Sequence, residues 1–249
     1  MGLDLANFDE RSRNAVKLFW GNRESALAKQ VESGNVDAGS RGAVTAGKNM
    51  DGFLNVIREL VERNGLNKED IYISGDNLTL PGFFRPTKKW DLIVLRDGHL
   101  VAALEFKSQV GSIGNNFNNR VEEAIGMAHD LWTAWKEGVF GPDSPRPFLG
   151  WLMLMEDNEE AHIPRKNKEP HFCVGPEFVG TSYARRYELF CQKLVRENLF
   201  TSAAFLTSPK SAAIDGSFNC YSEQTSLKRF VSEFAGRIAS VAAESSRLN

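Results

Sequence analysis

The stretch WDLIVLRDGHLVAALEFK, residues 90–107, decides how this chain is read. Residues 92–95 and 100–104 are almost continuously apolar and flank a short Asp97-Gly98 turn, the pattern of two strands joined in a tight hairpin. Strands that are apolar at nearly every position are buried on both faces. Yet Asp91 opens the first strand, and Glu105 and Lys107 close the second. Charges there are costly unless they pair or hold a metal.

Register limits this reading. A strict two-residue turn pairs Arg96 with His99, and therefore Asp91 with Leu104. Glu105 then faces away from Asp91, because side chains alternate along a strand. A three-residue turn or a single bulge brings the two acids back into phase. An irregularity is expected between residues 96 and 105.

Upstream, residues 71–74 and 78–80 give short strand signals. Residues 50–64 predict a helix, with Met50, Phe53, Leu54, Ile57, Leu60 and Val61 at helical spacing and Asn49 as its cap. Residues 8–33 also read as helical, and residues 34–47, with four glycines, as a loop. Downstream, GSIGNNFNN (111–119) predicts a loop leading into a helix from Arg120 to about Gly138. FLGWLMLM (148–155) suits a central strand. Residues 162–171 read as a polar loop, 181–198 and 223–247 as helical, and 203–207 as a strand.

The core order is helix, strand, strand, strand, helix, strand (αβββαβ). Strand, helix, strand across 99–155 implies a parallel, right-handed crossover beside the antiparallel hairpin. The fold class is α/β (α+β), with a mixed central β-sheet flanked by helices. A chain of 249 residues can bury one large core. We expect a single domain over 1–249, with its core at about 48–157 between helical segments 1–47 and 158–249.

Composition is ordinary, with 42% hydrophobic and 25% charged residues. Lys plus Arg total 30 and Asp plus Glu 32, a net charge of −2. A polyanionic partner would therefore have to meet a locally sorted basic surface. Cys173, Cys191 and Cys220 are widely spaced and odd in number, which predicts free, buried thiols. The N-terminus lacks an apolar signal core and no run reaches membrane-spanning length. The expectation is a soluble cytoplasmic protein without membrane partners.

The acidic hairpin carries the chemistry. Hydrolysing a phosphodiester needs an activated water and relief of charge on the phosphoryl oxygens. Mg²⁺ suits a few carboxylate oxygens while keeping waters. Asp91 and Glu105 are the candidate ligands, with the backbone carbonyl of Phe106 between them as a third. Lys107, two residues from Glu105, shares its face and is placed to orient water or steady the phosphorane. The alternative is a hairpin whose ends reach solvent with an ordinary Glu–Lys pair. His99, His129, His162 and His171 show no metal-ligand spacing.

Asp91, Glu105 and Lys107 in this order resemble the PD-(D/E)XK nuclease superfamily. NMDGF (49–53), LTLPGFFRPTKKWDLIV (78–94), LVAALEFKSQVG (100–111), GNNFNNRVEEAIG (114–126) and TSYARRYELFCQKL (181–194) look like the XhoI-type restriction endonucleases. The resemblance implies a restriction-endonuclease-like core and a Mg²⁺-dependent type II enzyme. Such an enzyme acts as a homodimer on double-stranded CTCGAG, cuts after the first C and leaves 5′ overhangs. A cognate DNA methyltransferase in the same host is the implied functional partner. One departure is visible: Trp90 stands where the superfamily usually has Pro before the first acid. A glutamate of the first core helix often borders the metal in this superfamily, which makes Glu59 a possible accessory acid.

DNA contacts are then sought among Asn115, Asn116, Asn118, Asn119 and Arg120, since Asn pairs with adenine and Arg with guanine. The alternative for these residues is a turn and a helix cap. Arg85, Lys88 and Lys89 precede Asp91 closely and are candidates for backbone phosphate, as are Arg185 and Arg186. Arg165, Lys166 and Lys168 form another basic cluster. Solvated charge is the simpler alternative for each. Three further readings stay open: a related nuclease of different specificity, a DNA-binding protein of nuclease fold without cleavage, and an α/β protein in which EFK is structural.

Overall fold

A computed structural model describes residues 3–5, 7–32 and 49–245. The expected 34–47 loop lies outside the described residues. The central element is a six-stranded mixed sheet built from β1 (Ile71–Tyr72), β4 (Leu92–Arg96), β5 (His99–Gln109), β6 (Phe148–Glu156), β7 (Ser202–Ser208) and β8 (Asn219–Cys220), in the order β1-β4-β5-β6-β7-β8. β5, β6 and β7 run parallel, and β1, β4 and β8 pair antiparallel with their neighbours.

The second strand signal falls elsewhere. Residues 79–81 form β2 (Thr79–Pro81), which leaves the sheet and pairs with β3 (Thr87–Lys89) as a separate ribbon. The core still follows αβββαβ, with β1, β4 and β5 as the three consecutive sheet strands.

Alternation sorts the sheet's side chains into two cores. Leu92, Val94, Ala102, Leu104, Phe148, Leu152, Leu154, Ala204 and Leu206 face one way. They pack against α1 (Phe8–Glu32), α2 (Asp51–Arg63) and the C-terminal helix Leu227–Ser245. Ile93, Ala103, Leu149, Trp151, Met153, Ala203 and Phe205 face the other way. They meet α3 (Phe117–Lys136) and α4 (Tyr183–Arg196), and we number the C-terminal helix α5. Phe53, Ile57, Leu60 and Val61 give α2 its buried stripe, spaced as one helical face requires. Gly150 is needed where it lies, because a Cβ there would meet Leu104 Cδ2 at 2.4 Å and Phe230 Cζ at 2.9 Å.

Several boundaries differ from expectation. Met50, not Asn49, occupies the cap of α2. The loop expected over 111–119 is mostly ordered helix: Ser112 takes φ +44°, a 3₁₀ turn covers Ile113–Asn116, and α3 begins at Phe117, three residues before Arg120. The glycines and asparagines read as loop formers instead make a tight turn and a first helical turn. The three cysteines are free, but only Cys191 is buried, where desolvation pushes its thiol well up. Cys173 and Cys220 lie at the surface. Among the described residues, no helix is long and apolar enough to cross a membrane.

Candidate active site

The turn between β4 and β5 places Asp97 at φ +51° and Gly98 at φ +78°, the left-handed pair that a tight hairpin favours. Arg96 pairs with His99 and Leu95 with Leu100, after which the register shifts so that Val94 pairs with Ala102 and Leu92 with Leu104. Val101 is the extra residue. Its side chain joins Ala102 in one core while Leu100 and Ala103 enter the other, as a bulge requires. The expected irregularity lies here, and its effect is to put Asp91 opposite Glu105.

β5 then outruns its neighbour. Pairing with β4 stops at Leu92–Leu104, whereas pairing with β6 continues to Gln109–Met155. The freed edge of β5 is used by Asp91, whose Oδ2 accepts the Phe106 N–H at 2.7 Å. N–H and C=O of one strand residue point to the same side, so the Phe106 carbonyl faces the gap beside Asp91.

Glu105 is only 5% exposed and both its oxygens are bonded: Lys107 Nζ donates to Oε1 at 2.5 Å and Lys88 Nζ to Oε2 at 2.7 Å. Lys88 comes from β3. It also donates to the Lys89 carbonyl at 2.9 Å and lies 4.2 Å from the centre of the Trp90 ring. Burial first, and the Glu105 charge second, push the Asp91 carboxyl up to about 6, against the Phe106 N–H and the ammoniums of Lys107 and Lys88. Two carboxylates and a backbone carbonyl meet in one half-buried corner, a donor set of hard oxygens. Among the described residues, no group of three or more His, Cys, Asp and Glu is placed to hold a metal. Any cation here would keep solvent ligands.

Glu59 does not join this corner. It lies on α2, against the opposite face of the sheet, and pairs with Arg11 at 3.2 Å. Its helix presents a buried stripe to the sheet and turns Glu59 aside.

The basic candidates divide. Lys88 enters the site and Lys89 is exposed beside it. Arg85 is held by α3, with its Nε 2.7 Å from Asp130 Oδ2. The same carboxylate accepts the Phe83 and Phe84 N–H groups, each at 2.8 Å. A Cβ at Gly82 would strike Asp130 at 2.6 Å, so only glycine fits this close seat. Asp130 thus clamps the β2–β3 ribbon that carries Lys88. Its identity was not read from the sequence. The available signal is a carboxylate between Met127 and Leu131 on an otherwise apolar helix face.

Asn115, Asn118 and Asn119 are exposed and Asn116 half-buried where β5 passes into α3, while Arg120 is engaged by Glu123 at 2.5 Å. Arg185 is exposed near the start of α4. Arg186 instead turns inward: it donates to Thr181 Oγ1 at 3.1 Å, to Asn167 Oδ1 at 2.6 Å and to the Arg165 carbonyl at 3.3 Å. It braces the segment before α4.

The family model described as "Restriction endonuclease XhoI" matches residues 29–220. The type II restriction enzyme AbrI of Azospirillum brasilense is 57% identical over 173 residues, covering 69% of this chain and 77% of the relative. Type II restriction enzyme XhoI of Xanthomonas vasicola is 51% identical over 197 residues, 78% of each chain. BstVI of Geobacillus stearothermophilus, also a type II restriction enzyme, is 44% identical over 213 residues, covering 83% of this chain and 94% of the relative. No solved structure gives a significant match.

Proposed function

This chain belongs to the restriction endonuclease XhoI family, and is accordingly a type II site-specific deoxyribonuclease, and from that premise we propose that it hydrolyses double-stranded DNA with Mg²⁺ at the Asp91–Glu105 corner. The observation that carries this is the bulge at Val101, which brings two acids from two strands together at the free edge of β5.

Asp91, Glu105 and the Phe106 carbonyl would hold the ion. It would supply charge relief on the phosphate and a more acidic water. Lys107 projects from the same face as Glu105 and is placed to orient the attacking water and to meet the phosphoryl charge. Asp91 is fixed by the Phe106 N–H, so its carboxylate needs little reordering. Lys89, Asn115, Asn116, Asn118, Asn119 and Arg185 remain candidates for DNA. Arg85, Arg120 and Arg186 are first of all structural in their observed contacts.

We further read the chain as one nuclease domain, acting in the cytoplasm as a homodimer on CTCGAG, cutting after the first C and leaving 5′ overhangs. A cognate methyltransferase would protect the host. The resemblance of the segments around the site supports this specificity, and a palindrome calls for two equivalent reading surfaces. The intact set of Asp91, Glu105 and Lys107 argues against a binding protein without cleavage.

The test is digestion of a plasmid with one CTCGAG site, with Mg²⁺ or with a chelator. Cleavage at that site only with Mg²⁺ is expected. Cleavage elsewhere overturns the specificity, and cleavage in chelator overturns the metal. Lys107→Met keeps the apolar stem and removes the charge. It should slow single-turnover cleavage by about a hundredfold or more, and a parent-like rate would show that Lys107 only pairs with Glu105.

A further inference from the structure

Glu105 has one feature that its role as a ligand leaves unexplained: both its oxygens are already taken by ammoniums from different elements. Oxygen is what a divalent cation requires, and an ammonium on the same carboxylate competes for it. The two lysines are not equivalent. Lys107 stands two residues from Glu105 on the same strand, so the strand sets its place. Lys88 reaches in from the β2–β3 ribbon and is 11% exposed.

Lys88 also has partners independent of Glu105. The Lys89 carbonyl at 2.9 Å and the Trp90 ring at 4.2 Å both belong to its own segment. A hydrogen bond and the face of an indole can hold an ammonium once a carboxylate is given up. Trp90 is 3% exposed and fixed in the core, so this second seat is rigid. The ribbon itself is fixed to α3 by Asp130.

We propose that Lys88 is a positioning residue that occupies the cation's place on Glu105, holding the acidic pair together before a divalent ion binds and yielding Oε2 when it does. This deepens the metal-dependent reading of the same corner and rests on it. Two consequences follow. Without the ion, Lys88 offsets the repulsion between Asp91 and Glu105. With the ion, Lys88 must be displaced, so its presence weakens the affinity for the ion.

The measurement is thermal unfolding of the full chain without DNA, titrated with MgCl₂. Lys88→Met should reach half of its Mg²⁺-induced rise at about tenfold lower Mg²⁺ than the parent, while melting lower than the parent when no ion is present. Lys88→Arg, which keeps the charge, and Lys89→Met, which leaves Glu105 untouched, should keep the parent midpoint. If Lys88→Met does not fold, Lys88→Gln retains a donor for the Lys89 carbonyl and carries the same expectation. A neutral variant with the parent's midpoint, or a higher one, overturns the inference: Lys88 would then be a brace and nothing more. A parent that takes up no cation overturns it too. Whether plasmid cleavage still requires Mg²⁺ then tells whether the metal-site reading has fallen with it.

Discussion

Asp91→Asn and Glu105→Ala are both expected to lower cleavage about a thousandfold or more, the scale of several kcal/mol of lost transition-state stabilisation. Their effects on the fold should be opposite. The Asp91 carboxyl is pushed up to about 6 from an ordinary 3.8, by burial and then by Glu105. A raised acid binds its proton more tightly folded than unfolded, so stability falls as pH climbs from about 4 to 6 and stays reduced above that. Asn at this position is neutral at every pH and still accepts the Phe106 N–H. It should stabilise the protein by ~2 kcal/mol at pH 8, and the gain should shrink as the pH is lowered to 5. Glu105→Ala takes away the carboxylate that Lys107 and Lys88 share; Lys88 keeps the Lys89 carbonyl and the Trp90 ring, but Lys107 loses its ion pair, and the change should cost ~2 kcal/mol. Removing either acid relieves the repulsion between them, but with Lys88 and Lys107 bonded to Glu105 the net gain is expected for Asp91 only. Denaturant melts at both pH values, beside cleavage assays, check this. An Asn variant no more stable than the parent at pH 8 would sink the electrostatic account.

Asp130→Ala should be the most damaging change outside the acidic corner. Burial pulls the Asp130 carboxyl up, but the Phe84 N–H, Arg85 and the Phe83 N–H outweigh it, and the net result lies below the usual range. A depressed acid stabilises at neutral pH and loses that contribution only as pH falls through its lowered value. Truncation leaves two backbone N–H groups and a guanidinium without their acceptor, a loss of ~3 kcal/mol. It also frees the ribbon that carries Lys88, so cleavage should drop although Asp130 itself touches nothing at the acidic corner. Asp130→Asn keeps one acceptor and should lose roughly half as much. A denaturation midpoint within about 0.5 kcal/mol of the parent would mean that the ribbon is held by other contacts.

The hairpin was legible because its logic is local. Burial on both faces, a turn of fixed length and strict alternation left only an irregularity to reconcile Asp91 with Glu105, and the bulge at Val101 supplies it. The crossover 99–155 was legible for the same reason. The contacts of Lys88, Arg85 and Arg186 were not. A basic residue reads the same in sequence whether its partner is solvent, phosphate or a buried carboxylate, and the partners here, Glu105, Asp130 and Asn167, lie 17, 45 and 19 positions away. Glu59 misled because periodicity tells which face of a helix is buried, but not against which side of the sheet. Residues 111–119 misled because Gly and Asn serve tight turns and helix starts as readily as open loops.

The bulge at Val101 also turns spacing along the chain into a question of odd and even. With a two-residue turn, every pair of partners near the turn has residue numbers of one fixed sum; beyond Val101 that sum is larger by one, and only the larger sum contains Asp91 with Glu105. Adding or removing two residues symmetrically around the turn preserves the encounter of the acids. A one-residue change between them keeps that encounter only where a turn of different length or a bulge takes it up; otherwise it sends one carboxylate to the other core together with every side chain beyond the change. Deletion of Val101 alone would therefore remove the bulge and leave a regular hairpin with one sum throughout, in which Val94 still meets Ala102, Leu92 still meets Leu104 and Asp91 still meets Glu105.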